Sequence, residues 1–362
     1  MTDTPASLEK HVGIKLEGVD LGRMLLDGRA FFALIAIIIA FSILSPNYLK
    51  VSNLLIMSSH VAIFGILGIG MMLVILTGGI DLSVGSTLAL AGVCAGFLMQ
   101  GLRLDWLGVV IYPPVWVVVI LTCCVGALVG LINGVLVAIL KVPAFVATLG
   151  LLYVARGVAM LLTNGLTLND LSGDPALGNT GFAWLGFNRL WGVPIGVIIM
   201  ALVAVLASVM LTRTALGRWI YSTGGNARAA ELSGVPVKSV KITVYMLSGV
   251  CAAISGLVLS SQLTSAGPTA GSTYELTAIA TVVIGGAALT GGRGGVRGTL
   301  LGAFVIGFLS DGLVIVGVSS YWQTVFTGAV IVLAVLLNSI QYGGRARKPA
   351  ATTPSPQKEK GA

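Results

Sequence analysis

The sequence predicts an all-α polytopic membrane protein of about ten transmembrane helices, some of them broken or re-entrant. Three observations predict it. Of 362 residues, 56% are hydrophobic and 9% are charged, whereas soluble domains carry about 25% charged residues. The apolar residues collect in runs near the ~20 residues that a spanning helix needs. The excess positive charge, a formal +8, sits mostly in the stretch 213–241 and after Tyr342. That clustering reads as the positive-inside asymmetry of membrane loops, not as a nucleic-acid surface.

The chain opens on a mixed-charge segment, 1–29, which lacks the small-residue cleavage pattern of a signal peptide. The membrane domain, 30–341, follows. Its predicted spans are 29–46, 58–77, 82–101, 114–140, 142–163, 193–212, 242–262, 273–292, 297–317 and 321–340. The 114–140 run is long and allows a break between Gly126 and Gly134. The 273–292 run is rich in Gly, Thr and Ala and is expected to be broken or re-entrant. The segment 164–192, with Pro175, Trp184 and Trp191, is expected to be a compact loop on the outer side. The tail 342–362, rich in Pro, Thr, Lys and small residues, is expected to be disordered.

Charge orients the scheme. The loop 213–241 carries Arg213, Arg218, Arg228, Lys238 and Lys241 against Glu231, and the tail is also basic. Both belong inside, and an even number of predicted spans separates them, so both termini are expected in the cytoplasm.

Motifs for covalent chemistry are absent. GGRGG at 291–295 has no following GK[ST] and does not fit GxGxxG. The two histidines, His11 and His60, cannot build a histidine metal cluster, and the four cysteines lie in apolar runs without CxxC spacing. The membrane-embedded polar residues are few. Asp81 follows a Gly-Gly turn, where it can cap the next helix or line a pathway with Ser83. Arg156 can reach the interface or pair internally. Tyr274 and Glu275 follow GPTAGST and are expected at an outer mouth, and Asn133 and Gln323 are neutral hydrogen-bonding groups. Together Asp81, Ser83, Asn133, Tyr274, Glu275 and Gln323 are the candidate pathway or gate residues. LTGGIDLSVGST at 76–87 echoes LTGGRGGVRGTL at 289–300. A duplication and a helix-end turn used twice both explain the echo.

The loop 213–241 has its own grammar. Gly224 and Gly225 break it, Asn226 can cap a short helix containing Glu231, and Gly234 stops that helix. Pro236 then suits the first turn of a second short helix.

At these residues the chain resembles the permease subunits of bacterial ABC sugar importers, the ribose, xylose and autoinducer-2 group. GGNARAAELSGVPVKSVKITVY from Gly224 resembles that family's cytoplasmic coupling segment. Further matches are LSPNYL at 44–49, LVILTGGIDLSVGS at 73–86, AFVATLGLLYVARG at 144–157, LGRWIYSTGGN at 216–226, PTAGSTYEL at 268–276, LTGGRGGVRGTLLGA at 289–303 and GVSSYWQ at 317–323.

The resemblance implies a multi-pass protein of the bacterial inner membrane that imports a sugar or polyol. Its implied partners are an ATP-binding cassette ATPase, a periplasmic sugar-binding protein and a second permease chain, with a homodimer expected. ATP and Mg would be bound by the ATPase, with no cofactor in this chain. Coupling would fall on Gly225, Asn226, Ala229, Ala230, Glu231 and Gly234. Ala229, Ala230 and Gly234 keep the spacing of the EAA docking pattern, but Arg228 stands where that pattern has its acid. The competing reading is a stand-alone ion-coupled secondary transporter. It would need several intramembrane carboxylates, and only Asp81, Glu275 and Asp311 are candidates.

Overall fold

The computed structural model describes residues 28–104 and 108–343. Apart from residues 28–29 and 342–343, the N-terminal segment 1–29 and the tail 342–362 therefore lie outside the described residues.

Among the described residues the chain forms thirteen α-helices. Five precede the 164–192 segment: α1 (Arg29–Leu44), α2 (Val51–Leu76), α3 (Val84–Gln100), α4 (Val115–Ala138) and α5 (Ala144–Thr163). The short α6 (Trp184–Phe187) leads to α7 (Ile195–Arg213), and α8 (Ala215–Gly225) and α9 (Ala227–Leu232) build the basic loop. The last four are α10 (Val237–Leu263), α11 (Tyr274–Ile284), α12 (Val296–Ile315) and α13 (Ser320–Gly343). Six of them, α2, α4, α5, α7, α10 and α12, are long and apolar enough to cross a membrane. The apolar helices α1, α3, α11 and α13 occupy the other predicted runs.

Three minimal antiparallel strand pairs join 102–104 to 109–111, 168–169 to 265–266, and 189–190 to 193–194. All three sit at the end of the bundle opposite the basic loop. They hold all the strands among the described residues.

Burial divides the helices. The most apolar window of α2 is 83% buried inside the protein, whereas those of α4 and α5 are only 28% buried. Leu121, Leu128, Phe145, Tyr153 and Leu161 point out of the fold. So much outward apolar surface suits acyl chains and not water.

The expected break in 114–140 is absent, since α4 runs unbroken from Val115 to Ala138. Its glycines serve close packing instead. A Cβ on Gly126, Gly130 or Gly134 would stand 2.3, 2.1 or 2.7 Å from the backbone of Gly249, Tyr245 or Ile242. Three glycines spaced four apart form one stripe on the helix, and α10 lies directly along it. The helix needs no kink to bring the two backbones together.

The 273–292 run is broken, as its composition predicts. After α10 ends at Leu263, the chain turns back into the bundle without helical structure. Ala266 lies beside Gly96 of α3, and Gly271 lies beside Leu88 and Gly85, eleven residues further along that helix. Eleven residues of helix span ~16 Å. The helical part, α11, has only 11 residues, about half of a ~30 Å hydrocarbon core.

Non-helical backbone at that depth must find partners inside the protein. Arg156 of α5 supplies them, since its Nη1 donates to Pro268 O at 2.8 Å and to Ala270 O at 2.7 Å. Arg156→Ala should therefore cost on the order of 2 kcal/mol or more and lower the unfolding temperature by several degrees, because charge-assisted bonds to buried carbonyls are lost. Arg156→Lys should recover part of the loss. Thermal unfolding of the purified variants checks this, and an alanine variant within a degree of the parent would remove the assigned role.

The four cysteines are free. Cys251 is buried, whereas Cys124 faces outward.

Candidate functional site

The basic loop folds as two helices in series. Thr214 caps α8, its side chain accepting from Gly217 N, and α8 continues through Gly224 and Gly225. The break falls at Asn226, one residue later than the glycine pair predicts. Asn226 caps α9 as expected, its side chain accepting from Ala229 N at 3.0 Å. Gly234, at φ +83, ends α9 in the left-handed region that glycine adopts without strain. Beyond Pro236 the structure corrects the expected second short helix. Val237 begins α10, which runs unbroken for 27 residues into the core. One tight turn therefore separates α9 from α10.

A junction of three backbones lies under α8. Gly292 N donates to Leu76 O at 3.0 Å, joining the end of α2 to the α11–α12 connection. Gly224 of α8 packs onto that bond, and a Cβ there would stand 1.8 Å from Leu76 O and 2.5 Å from Gly292 N. A Cβ on Gly291 would lie 2.9 Å from Gly78 N and 3.0 Å from Gly224 O. Tyr221 of α8 fastens the edge by donating from its hydroxyl to Gly294 O at 2.9 Å. Burial pushes the Tyr221 phenol up, which keeps its proton in place for that bond. The two LTGG echoes therefore meet, and they meet at the basic loop. The sequence held a signal for this: Thr-Gly-Gly occurs at 77–79, 223–225 and 290–292, and the three copies converge.

The outward face of α9 differs from expectation. Gly225, Asn226, Ala229, Glu231 and Gly234 are exposed, but Ala230 is only 5% exposed. Its methyl packs within the fold of this chain. Leu232, a residue that sequence reasoning missed, is 75% exposed. A leucine bared on a six-residue helix gives this face an exposed apolar side chain, the type that a partner would bury. Arg228 pairs with Glu231 at 3.1 Å on the same surface. Leu232→Asp should weaken binding of a partner at this face at least ~tenfold and leave thermal stability unchanged, whereas Ala230→Trp should destabilise the chain itself. Pull-down and thermal unfolding of both variants separate the two effects. Undiminished partner binding by Leu232→Asp would exclude the anchor role.

Asp81, Ser83 and Asn133 form one buried cluster. Asp81 Oδ1 accepts from Ser83 N at 3.0 Å and Ser83 Oγ at 2.7 Å, and Asp81 Oδ2 accepts from Ser248 Oγ at 2.9 Å. Asn133 Nδ2 donates to Ser83 Oγ at 2.8 Å and approaches Asp81 Oδ1 at 3.4 Å. The carbonyl of Ile80 accepts from Tyr245 and Thr148, both at 3.3 Å. The turn after the first LTGG is thus tied to α4, α5 and α10. Asp81 does not cap α3, whose N-cap position is Ser83 without a side-chain cap bond, and instead holds together the turn before the helix.

Tyr274 and Glu275 open α11. The inward path of residues 266–273 carries them down to the first turn of α3, where Glu275 Oε2 lies 2.4 Å from a Cβ built on Gly85. That oxygen is buried without a hydrogen-bond partner, and Tyr274 packs edge-on against Phe64 at 5.2 Å between ring centroids. These residues stand one helical turn from the Asp81 cluster. Gln323 is elsewhere. Its Nε2 donates to Val318 O at 2.8 Å at the start of α13.

Residues 53–335 match the family described as "Branched-chain amino acid transport system / permease component". The chain is 44% identical over 315 residues to the Ribose import permease protein RbsC of Escherichia coli strain K12, covering 87% of this chain and 94% of the relative. It is 44% identical over 309 residues to the protein of the same name in Bacillus subtilis, covering 85% and 91%. It is 35% identical over 362 aligned residues to the Xylose transport system permease protein XylH of Escherichia coli K12, covering 85% and 90%. No solved structure matches the chain.

Proposed function

Since the chain belongs to the family of branched-chain amino acid transport system permease components, we propose that it is the transmembrane permease subunit of an ATP-driven importer, carrying a sugar or polyol from periplasm to cytoplasm across the bacterial inner membrane. The names of its relatives support a sugar as cargo, since two are ribose permeases and one a xylose permease. A pentose is the first candidate.

The chain crosses the membrane ten times, with both termini and the loop 213–241 in the cytoplasm. A second copy completes the pathway, and a periplasmic binding protein delivers the cargo. A separate ATPase binds ATP and Mg and docks on the face made by Gly225, Asn226, Ala229, Glu231, Leu232 and Gly234. The observation that carries this reading is the junction of Gly224, Leu76 and Gly292. It gives a force on the exposed α8–α9 pair a rigid backbone route to α2 and to the broken α11.

Tyr274, Glu275 and the half-helix α11 then border the pathway, as broken helices do in transporters. Asp81, Ser83 and Asn133 brace it from behind, and Gln323 stands apart. The ion-coupled alternative is weaker, because Asp81 is committed to Ser83 and Ser248 and Asp311 bonds His60 at 2.8 Å.

Coexpression with its candidate ATPase tests the reading. The two chains should copurify, and adding the sugar-loaded binding protein should raise the rate of ATP hydrolysis. Failure to copurify, or a hydrolysis rate indifferent to the loaded binding protein, would contradict it.

A further inference from the structure

Beside the junction, a cavity of about 500 Å³ opens between α9, the turn at Thr77–Gly79, the α4–α5 hairpin and the first turns of α10. Its charged lining is Lys141, Arg228, Lys238 and Lys241, with Glu231 as the acid. Arg228 is engaged by Glu231 at 3.1 Å. The three lysines form no ion pair with any described residue. Lys238 and Lys241 share one face of α10, being three residues apart. Lys141 faces the same cavity from the hairpin tip, where its backbone sits at φ +57. That conformation is uncommon for a side chain other than Gly, Asn or Asp. Three cations held around one cavity repel each other, and an anion between them turns that repulsion into attraction.

The hairpin supplies a second, independent observation. Ile139 and Leu140 on one side of Lys141, and Phe145 and Val146 on the other, are each more than half exposed. A cationic cavity bordered by a bare apolar strip matches an amphiphile with an anionic head and hydrocarbon tails. A free anion would have no use for the strip. We propose that this cavity binds the phosphate headgroup of an anionic phospholipid of the inner leaflet, with the acyl chains lying along the exposed hairpin. The orientation rests on the function proposed above, but binding itself needs no ATPase and no sugar. It can therefore fail or succeed separately.

Native mass spectrometry of the full chain, purified from mixed phosphatidylglycerol and phosphatidylcholine, is the test. The parent should retain phosphatidylglycerol in preference to phosphatidylcholine. Lys141→Gln/Lys238→Gln should lose that retention at least about tenfold, Lys241→Gln alone should lose part of it, and the tail control Lys358→Gln/Lys360→Gln should retain it fully. Millimolar inorganic phosphate should leave the lipid in place. Displacement by inorganic phosphate would make this a soluble-anion site and overturn the lipid assignment. Equal retention by the parent and the two cavity variants would overturn the site. So would a double variant that keeps the lipid but loses the copurifying ATPase, since the cavity would then belong to the docking surface.

Discussion

Replacing Gly224 by alanine is expected to lower sugar uptake below about a tenth of the parent level and to reduce thermal stability, while Gly225→Ala leaves stability unchanged. The two glycines are adjacent but differ in what surrounds them. A Cβ on Gly224 would stand 1.8 Å from Leu76 O, and the atoms it meets are all backbone, so no rotamer change relieves the overlap. Either α8 lifts or the Gly292 N to Leu76 O bond opens. Overpacking of this kind costs ~1–3 kcal/mol. The functional loss should exceed the stability loss, because in the proposed function the displaced element is the one that transmits force. A Cβ on Gly225 meets nothing within 4 Å. Parallel thermal unfolding and uptake assays of the two variants check this. Parent-like stability and uptake in Gly224→Ala would show that the junction is not tight in the working protein.

The second large effect is expected at Asp81. Asp81→Ala leaves the hydroxyls of Ser83 and Ser248 without their acceptor inside the protein, at a cost of about 2–5 kcal/mol. Asp81→Asn should be milder, because its amide oxygen can still accept from Ser83 and its NH2 can donate to Ser248 Oγ, whose own proton alone loses its acceptor. Adding Ser248→Ala to the Asn variant should then cost less than Ser248→Ala in the parent, since the bond to a charged acceptor is already gone. Unfolding temperatures of this series test the bracing role. If Asp81→Ala unfolds like the parent but transports nothing, Asp81 acts on the cargo and not on the fold.

The helical membrane fold was legible because run length and charge asymmetry are local properties of the sequence. Turn chemistry was legible for the same reason, and Asn226 and Gly234 cap and stop α9 as their residue types require. What failed depends on distant neighbours. Gly126, Gly130 and Gly134 read equally well as a break or as a packing stripe until α10 is known to lie against them. Ala230 looked like its neighbour Ala229, and only tertiary packing turns one inward and the other outward. The glycine-proline turn before Glu275 gives no local sign of Arg156, 119 residues earlier than Glu275, whose guanidinium donates to the carbonyls of Pro268 and Ala270. The convergence of the three Thr-Gly-Gly copies was written in the sequence as repetition, but repetition alone does not say that the copies touch.

In the proposed function this chain moves its cargo only when a separate ATPase acts through the loop 213–241. Uptake of labelled pentose into proteoliposomes measures it directly. The predicted result is accumulation that requires ATP, the ATPase and the binding protein together, and that falls below about a tenth with Gly224→Ala. Substrate-specific uptake by this chain alone, driven by an ion gradient, would contradict it.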